Sequence, residues 1–228
     1  MDPTMTTSVT GGTSSDTNTT AFNITTGAIS ADALLVVGTV GQAVQASLRD
    51  VSSVTINGVS MTHVARASGD NGGGYGSRTE LWYLTGTSIP ASGTYSISIT
   101  YGGTQEGIAC GAMLFRGIKP QAANVTATNN ANGTNPLSVN ITPTRGNTLI
   151  VAIYGSQNSA DPSAGAGQTE GFDSRPDNDL TCQGSYKIQR APSATTVSAG
   201  FVNPESEEIV AAAYEIIPAG GGFLFNML

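Results

Sequence analysis

Apolar and polar residues alternate along this chain in short runs broken by turn-forming clusters. Tyr95-Ser96-Ile97-Ser98-Ile99-Thr100-Tyr101 alternates strictly, the period-two pattern of a strand with one buried face. Val54-Thr55-Ile56-Asn57-Gly58-Val59-Ser60-Met61 places Asn-Gly between two alternating runs. A type I′ hairpin turn needs φ > 0 at both central residues, and Asn-Gly meets that at little cost. Leu34-Leu35-Val36-Val37 is apolar at every position, so it predicts a central strand covered on both faces. Thr79-Glu80-Leu81-Trp82-Tyr83-Leu84 predicts a further strand. No segment carries a sustained 3.6-residue period, so helices are not expected.

The strand pattern occurs twice in the same order. Val9-Thr10 through Phe22-Asn23-Ile24 is answered by Val125-Thr126 through Val139-Asn140-Ile141. Leu34–Gly38 is answered by Leu149–Ile153, and Ile108–Phe115 by the run beginning at Ile209. The chain is therefore expected to be all-β: two tandem, duplicated β-sandwich domains of jelly-roll or immunoglobulin-like Greek-key topology. The expected boundaries are 1–118 and 119–218, followed by 219–228 as a glycine hinge and apolar anchor. The Asn57-Gly58 hairpin of the first copy has no counterpart in the second. The stretch from Asn158 to Leu180 stands there instead, and its Gly/Ala/Ser content and acidic end predict an exposed loop outside the core.

Composition narrows the classes of function. Charged residues make up 11% of the chain, against roughly 25% in typical globular proteins, and the net charge is −7. An acidic chain without a Lys/Arg cluster is not expected to bind nucleic acid. No apolar run approaches the length of a membrane-spanning helix, so no membrane partner is expected. The first residues have neither a basic nor an apolar segment and do not read as a secretory signal. Cys110 and Cys182 fall in predicted strands of different halves and are expected to be free, buried thiols.

The runs Leu34–Gly38, Val54–Val59, Thr79–Leu84 and Ala112-Met113-Leu114-Phe115 resemble β-sandwich modules of tailed-phage structural proteins; similar modules occur in bacterial surface proteins. The glycine run Gly220–Gly222 followed by a short apolar segment also resembles phage virion proteins. The resemblance implies a capsid decoration (cement) or tail/fibre component located in the virion. Its partners would be other virion subunits, with homo-oligomers expected. It carries over no catalytic residue.

Candidate chemistry is sparse. His63 is the single histidine and has no nucleophile-elbow motif to serve, so a half-exposed structural role is expected. Glu80, with Asp70 or Glu106 as partner, is the best pair for two-carboxylate chemistry; strand-end or loop positions predict solvated acids instead. Asp173, Asp177, Asn178 and Asp179 could gather oxygens around calcium but lack an ordered ligand spacing. No catalytic residue, cofactor or metal is therefore assigned. Trp82 reads as a core anchor rather than part of a sugar platform with Tyr83, Tyr75 and Tyr101, whereas Tyr75, in a glycine-rich loop, is the candidate glycan contact. The expected interface residues are Phe223, Leu224, Phe225, Met227 and Leu228. Five large apolar side chains beyond a glycine hinge are adhesive in water. The function expected is a non-enzymatic structural protein of a virus particle. The alternative is a receptor- or glycan-binding adhesin on a phage tail or cell surface.

Overall fold

The computed structural model describes residues 2–44, 47–70, 74–133, 135–157, 160–176, 180–202 and 206–217. Among the described residues the regular elements are strands, apart from the 3₁₀ turn Gly86–Ser88, and all paired strands are antiparallel. The first half builds an inner five-stranded sheet in the order β1 (Thr4–Thr13), β9 (Gly107–Arg116), β3 (Leu34–Val44), β7 (Tyr75–Thr85), β6 (Thr62–Asp70). Its outer sheet runs β2 (Thr17–Thr26), β8 (Gly93–Gln105), β4 (Val51–Ile56), β5 (Val59–Ser60). The predicted hairpin joins β4 to β5, with Asn57 at φ 49° and Gly58 at φ 77°.

The second half repeats this plan. Its inner sheet is β10 (Val125–Ala131), β17 (Ser206–Glu215), β12 (Thr148–Gln157), β15 (Leu180–Gln189), β14 (Thr169–Ser174). Its outer sheet is β11 (Leu137–Ile141), β16 (Thr195–Val202), β13 (Ala160–Ala164). The strand orders of the two halves coincide element for element, save that β5 has no counterpart. First and last strands of each half are neighbours, and the third strand lies between the last and the strand that follows the edge. This interleaving is that of a jelly roll, with one strand moved to the edge of the inner sheet, rather than of an immunoglobulin sandwich.

The ladders refine the sequence match. Leu34 pairs with Phe115 in one half, and Leu149 with Tyr214 in the other. Cys110, opposite Thr39, thus corresponds to Ile209, opposite Tyr154; the match of Ile108 to Ile209 is two residues out of register. The error is silent to hydrophobic pattern because a two-residue shift preserves the face of every side chain. The Phe22–Val139 match stands: Phe22 faces Ile97 as Val139 faces Val197.

Three apolar layers separate the four sheets. Leu35, Val37, Trp82, Ile97, Ile99 and Leu114 fill the first sandwich; Ile150, Ala152, Tyr154, Val197 and Ile209 fill the second. A third layer lies between the two inner sheets, where Leu34, Val36, Val40 and Leu81 meet Leu149, Val151, Ile153 and Val210, all fully buried. Each inner sheet is therefore covered on both faces, which is why β3 and β12 contain no surface positions through their apolar runs. Leu35 and Ile150 each point into their own sandwich, whereas Leu34 and Leu149 point between the halves.

The stretch from Asn158 to Leu180 departs from its expectation as a core-free loop. It contributes β13 and β14, and Phe172 of β14 is buried in the layer between the inner sheets. The ring lies against Gly111 of β9 and Gly184 of β15; a methyl group at either glycine would overlap it. Ser174 Oγ donates to the Gly11 carbonyl at 2.5 Å, tying this edge to β1. Short strands that carry one buried aromatic among Gly, Ala and Ser have too little alternation to read as strands.

Phe172→Ala removes a ring held by both halves. The expected cost is about 3–5 kcal/mol, read as a loss of thermal stability in the full chain. A variant melting within a degree or two of the parent would show that the ring is dispensable.

Candidate functional site

The densest group of ionisable side chains lies on the β6–β7 edge of the first half. Ladder register places Arg66 opposite Glu80 and His63 opposite Trp82. Glu80 shares the face of Trp82 and Leu84, so its carboxylate enters the end of the first sandwich rather than solvent. It is fully buried, in correction of the solvated strand-end acid expected. The six-residue run Thr79–Leu84 carries no mark of this, since both Glu80 and its apolar neighbours are covered.

Glu80 Oε1 accepts the Val51 amide at 2.8 Å, and Arg66 Nε is 3.9 Å away. Glu80 Oε2 lies 3.2 Å from His63 Nε2, a pair of ionic distance without hydrogen-bond alignment. The His63 ring meets Trp82 edge-on at 4.9 Å, and 30% of its side chain is exposed. Asp50 completes the group by bridging the guanidinium groups of Arg66 and Arg78. Asp70 does not join it: it pairs with Gly76, four ladder positions from Glu80. Glu106 lies between β8 and β9. The carboxylate that Glu80 does feel is Asp50, across the Arg66 guanidinium, rather than either expected partner.

Burial pushes the Glu80 carboxyl above the usual carboxylate range, against the Val51 amide and the neighbouring arginines, which pull it down. Burial likewise lowers the His63 imidazole, helped by Arg66 and opposed by Asp50. Both groups are thus biased toward their neutral forms, and the arrangement is an internal brace between β4, β6 and β7. The thiols are likewise held in their neutral forms. Cys110 and Cys182 are free and buried, and burial raises Cys110 to about 12 and Cys182 well above its usual value.

The aromatic candidates separate. Trp82 and Tyr101 are buried in the first sandwich, where the Tyr101 hydroxyl and Thr39 Oγ1 are 2.8 Å apart. Tyr83 packs against Tyr214 of the other half at 5.8 Å. Tyr75 alone of the four stays exposed, and Val44, its ladder partner, is exposed beside it. Asp173 lies in β14, while Asp177, Asn178 and Asp179 fall outside the described residues, as do the anchor residues Phe223, Leu224, Phe225, Met227 and Leu228. Among the described residues no group of three or more His, Cys, Asp or Glu side chains could hold a metal ion. No helix is long and apolar enough to cross a membrane.

No family model matches this chain, and no curated protein does. Among solved structures, the major capsid protein P2 of bacteriophage PM2 aligns with 92% of this chain and 98% of its own at 11% identity, with a TM-score of 0.24. The PBSX exported protein XepA aligns with 92% of this chain and 86% of its own at 10% identity, with a TM-score of 0.21. Both likenesses are weak; at such scores neither bears on what this chain does.

A raised carboxyl has a definite sign. Its folded form holds the proton more tightly than the unfolded chain, so Glu80 favours folding below about pH 4.5 and loses that contribution as pH rises through its elevated value. Glu80→Gln removes the titration while keeping an acceptor for Val51. The difference in melting temperature between Glu80→Gln and the parent should move in favour of Gln between pH 4 and pH 7. A constant difference across that range would mean that Glu80 is not held in a raised state.

Proposed function

We propose that this protein is a non-enzymatic structural component of a virus particle, decorating or stabilising a capsid or tail through subunit contacts. The observation that carries the reading is the central apolar layer: the two sandwiches are joined face to face through both inner sheets into a single four-layer block. A mechanical building unit needs that rigidity, whereas an enzyme built from two domains usually keeps a cleft between them for its substrate. The ionisable cluster supports the same reading, since Glu80, His63, Arg66, Asp50 and Arg78 are engaged with one another. The strand pattern's resemblance to phage virion modules supports the reading of a particle protein, made in the host cytoplasm and exposed after release.

In this reading the repeated jelly roll arose by tandem duplication, and residues 219–228 serve as the anchor to a neighbouring subunit. The hinge from Ala219 to Gly222 reaches at most about 14 Å when extended, so the receiving groove lies near the end of β17. The alternative, a glycan- or receptor-binding module, is favoured by one observation: the exposed Tyr75–Val44 pair, which follows a glycine run in the sequence.

A chain ending at Pro218 should melt like the full chain yet fail to assemble into oligomers or to bind particles, as read by sedimentation and co-pelleting. Normal assembly of the shortened chain would remove the anchor from the account. Glycan-array binding abolished by Tyr75→Ala would favour the adhesin, and polysaccharide or ester turnover abolished by Glu80→Gln or His63→Ala would refute the non-enzymatic reading.

A further inference from the structure

The layer between the halves has an internal two-fold symmetry. Tyr83 of β7 stacks on Tyr214 of β17 at 5.8 Å, and Tyr186 of β15 meets Phe115 of β9 at 5.2 Å. Ladder register makes Tyr83 the counterpart of Tyr186, and Phe115 the counterpart of Tyr214, so the two contacts are one contact made twice in opposite directions. The segments that leave β9 and β17 pair with each other in the same manner. Ile118 and Ile216 form an antiparallel bridge; Lys119 N donates to Glu215 O at 3.0 Å, and Ile217 N donates to Gly117 O at 2.9 Å. Reciprocal contacts of this kind are the mark of an isologous dimer interface, here closed within one chain.

At such an axis a residue meets its own counterpart, and here the counterparts differ in size. Gly38 of β3 faces Ile153 of β12: a methyl group built at Gly38 would lie 2.6 Å from Ile153 Cδ1 and Cγ2 and 2.8 Å from Cγ1. One step along both strands the sizes are reversed. A methyl group at Gly155 would overlap Thr79 Oγ1 and lie 2.8 Å from Val40 Cγ2, both of the first half, and 2.9 Å from Glu208 Oε2. Two first-half sheets paired with each other would set Gly38 against Gly38 and leave a hole. Two second-half sheets would set Ile153 against Ile153 in space that admits one side chain.

We propose that the inner sheets form a heterospecific pair, a fused pseudo-dimer in which the exchange of knob and hole at Gly38/Ile153 and Val40/Gly155 fits each half to the other and not to a second copy of itself. Complementary size across an axis discriminates by steric conflict with the wrong partner as well as by fit with the right one. In an oligomer or shell, where many identical sheets fold near one another, it would direct each half to its own chain's partner half.

The test is a double-mutant cycle in the full-length chain, read by thermal melting. Gly38→Ala in the parent should lower the melting temperature by about 5 °C, because it overpacks a filled site. Ile153→Ala opens the hole, and in that background Gly38→Ala should be neutral or raise the melting temperature. Ile153→Ala should give no such relief to Gly155→Ala, whose conflicts are with Thr79 and Val40 of the first half and with Glu208. Should Gly38→Ala alone fail to fold, recovery of folding in the Gly38→Ala/Ile153→Ala chain supports the same conclusion. An equal drop for Gly38→Ala in both backgrounds, or a double variant that also fails to fold, overturns it.

Discussion

Burial of both faces of two paired sheets is the constraint on which the rest of this molecule depends. A jelly roll of about a hundred residues ordinarily buries one face of each sheet and offers the other to water. Here the inner sheet of each half turns its second face onto its counterpart. The strands at the centre must then be apolar on both faces, with only a few hydrogen-bonded polar residues among them. β3 and β12 carry Leu, Val, Ile and Gly through their middles, and β9 and β17 carry Ala, Cys, Met and Val. Each buried Leu, Val or Ile contributes roughly 1.5–3 kcal/mol, so a layer holding eleven of them from both halves is a core in its own right. Sheets that faced water instead would expose one of the largest apolar patches in the molecule.

Close approach of the two sheets follows from the glycines they contain. Gly38 and Gly111 are ladder partners in adjacent strands of the first half, and together they leave a furrow across its inner sheet. Ile153 and Phe172 of the second half enter it. Polar groups caught in the same layer are held across the halves: Ser77 Oγ and Thr79 Oγ1 donate to the buried Glu208 carboxylate. Such cross-half bonds keep a buried polar group satisfied only while the sheets stay in register, which ties the alignment of the halves to the packing of their side chains.

Much of the fold was legible in the order of residues, because period-two alternation and turn chemistry are local signals. Asn57-Gly58 predicts its hairpin from backbone preference alone, and the unbroken apolar run at Leu34 predicts a strand covered on both faces. What covers the second face was not legible, since a run of Leu and Val is the same whether it meets a helix, a sheet or another chain. β14 was missed because its burial rests on Phe172 filling a gap left by Gly111 and Gly184, three residues far apart in the chain. Glu80 was misplaced for a related reason. Its burial is made possible by His63 and the Val51 amide, partners that only the ladder brings together. The half-exposed position expected of His63 is the one it occupies. The exposure of Tyr75 followed from its glycine-rich surroundings.

The claim that one continuous apolar layer makes the two halves a single unit is tested most directly by differential scanning calorimetry of the full-length chain. If the layer unites the inner sheets, both halves unfold in one transition whose calorimetric and van't Hoff enthalpies agree. Two resolved transitions, or a calorimetric enthalpy about twice the van't Hoff value, would contradict the account, because the halves would then be independent sandwiches that merely touch.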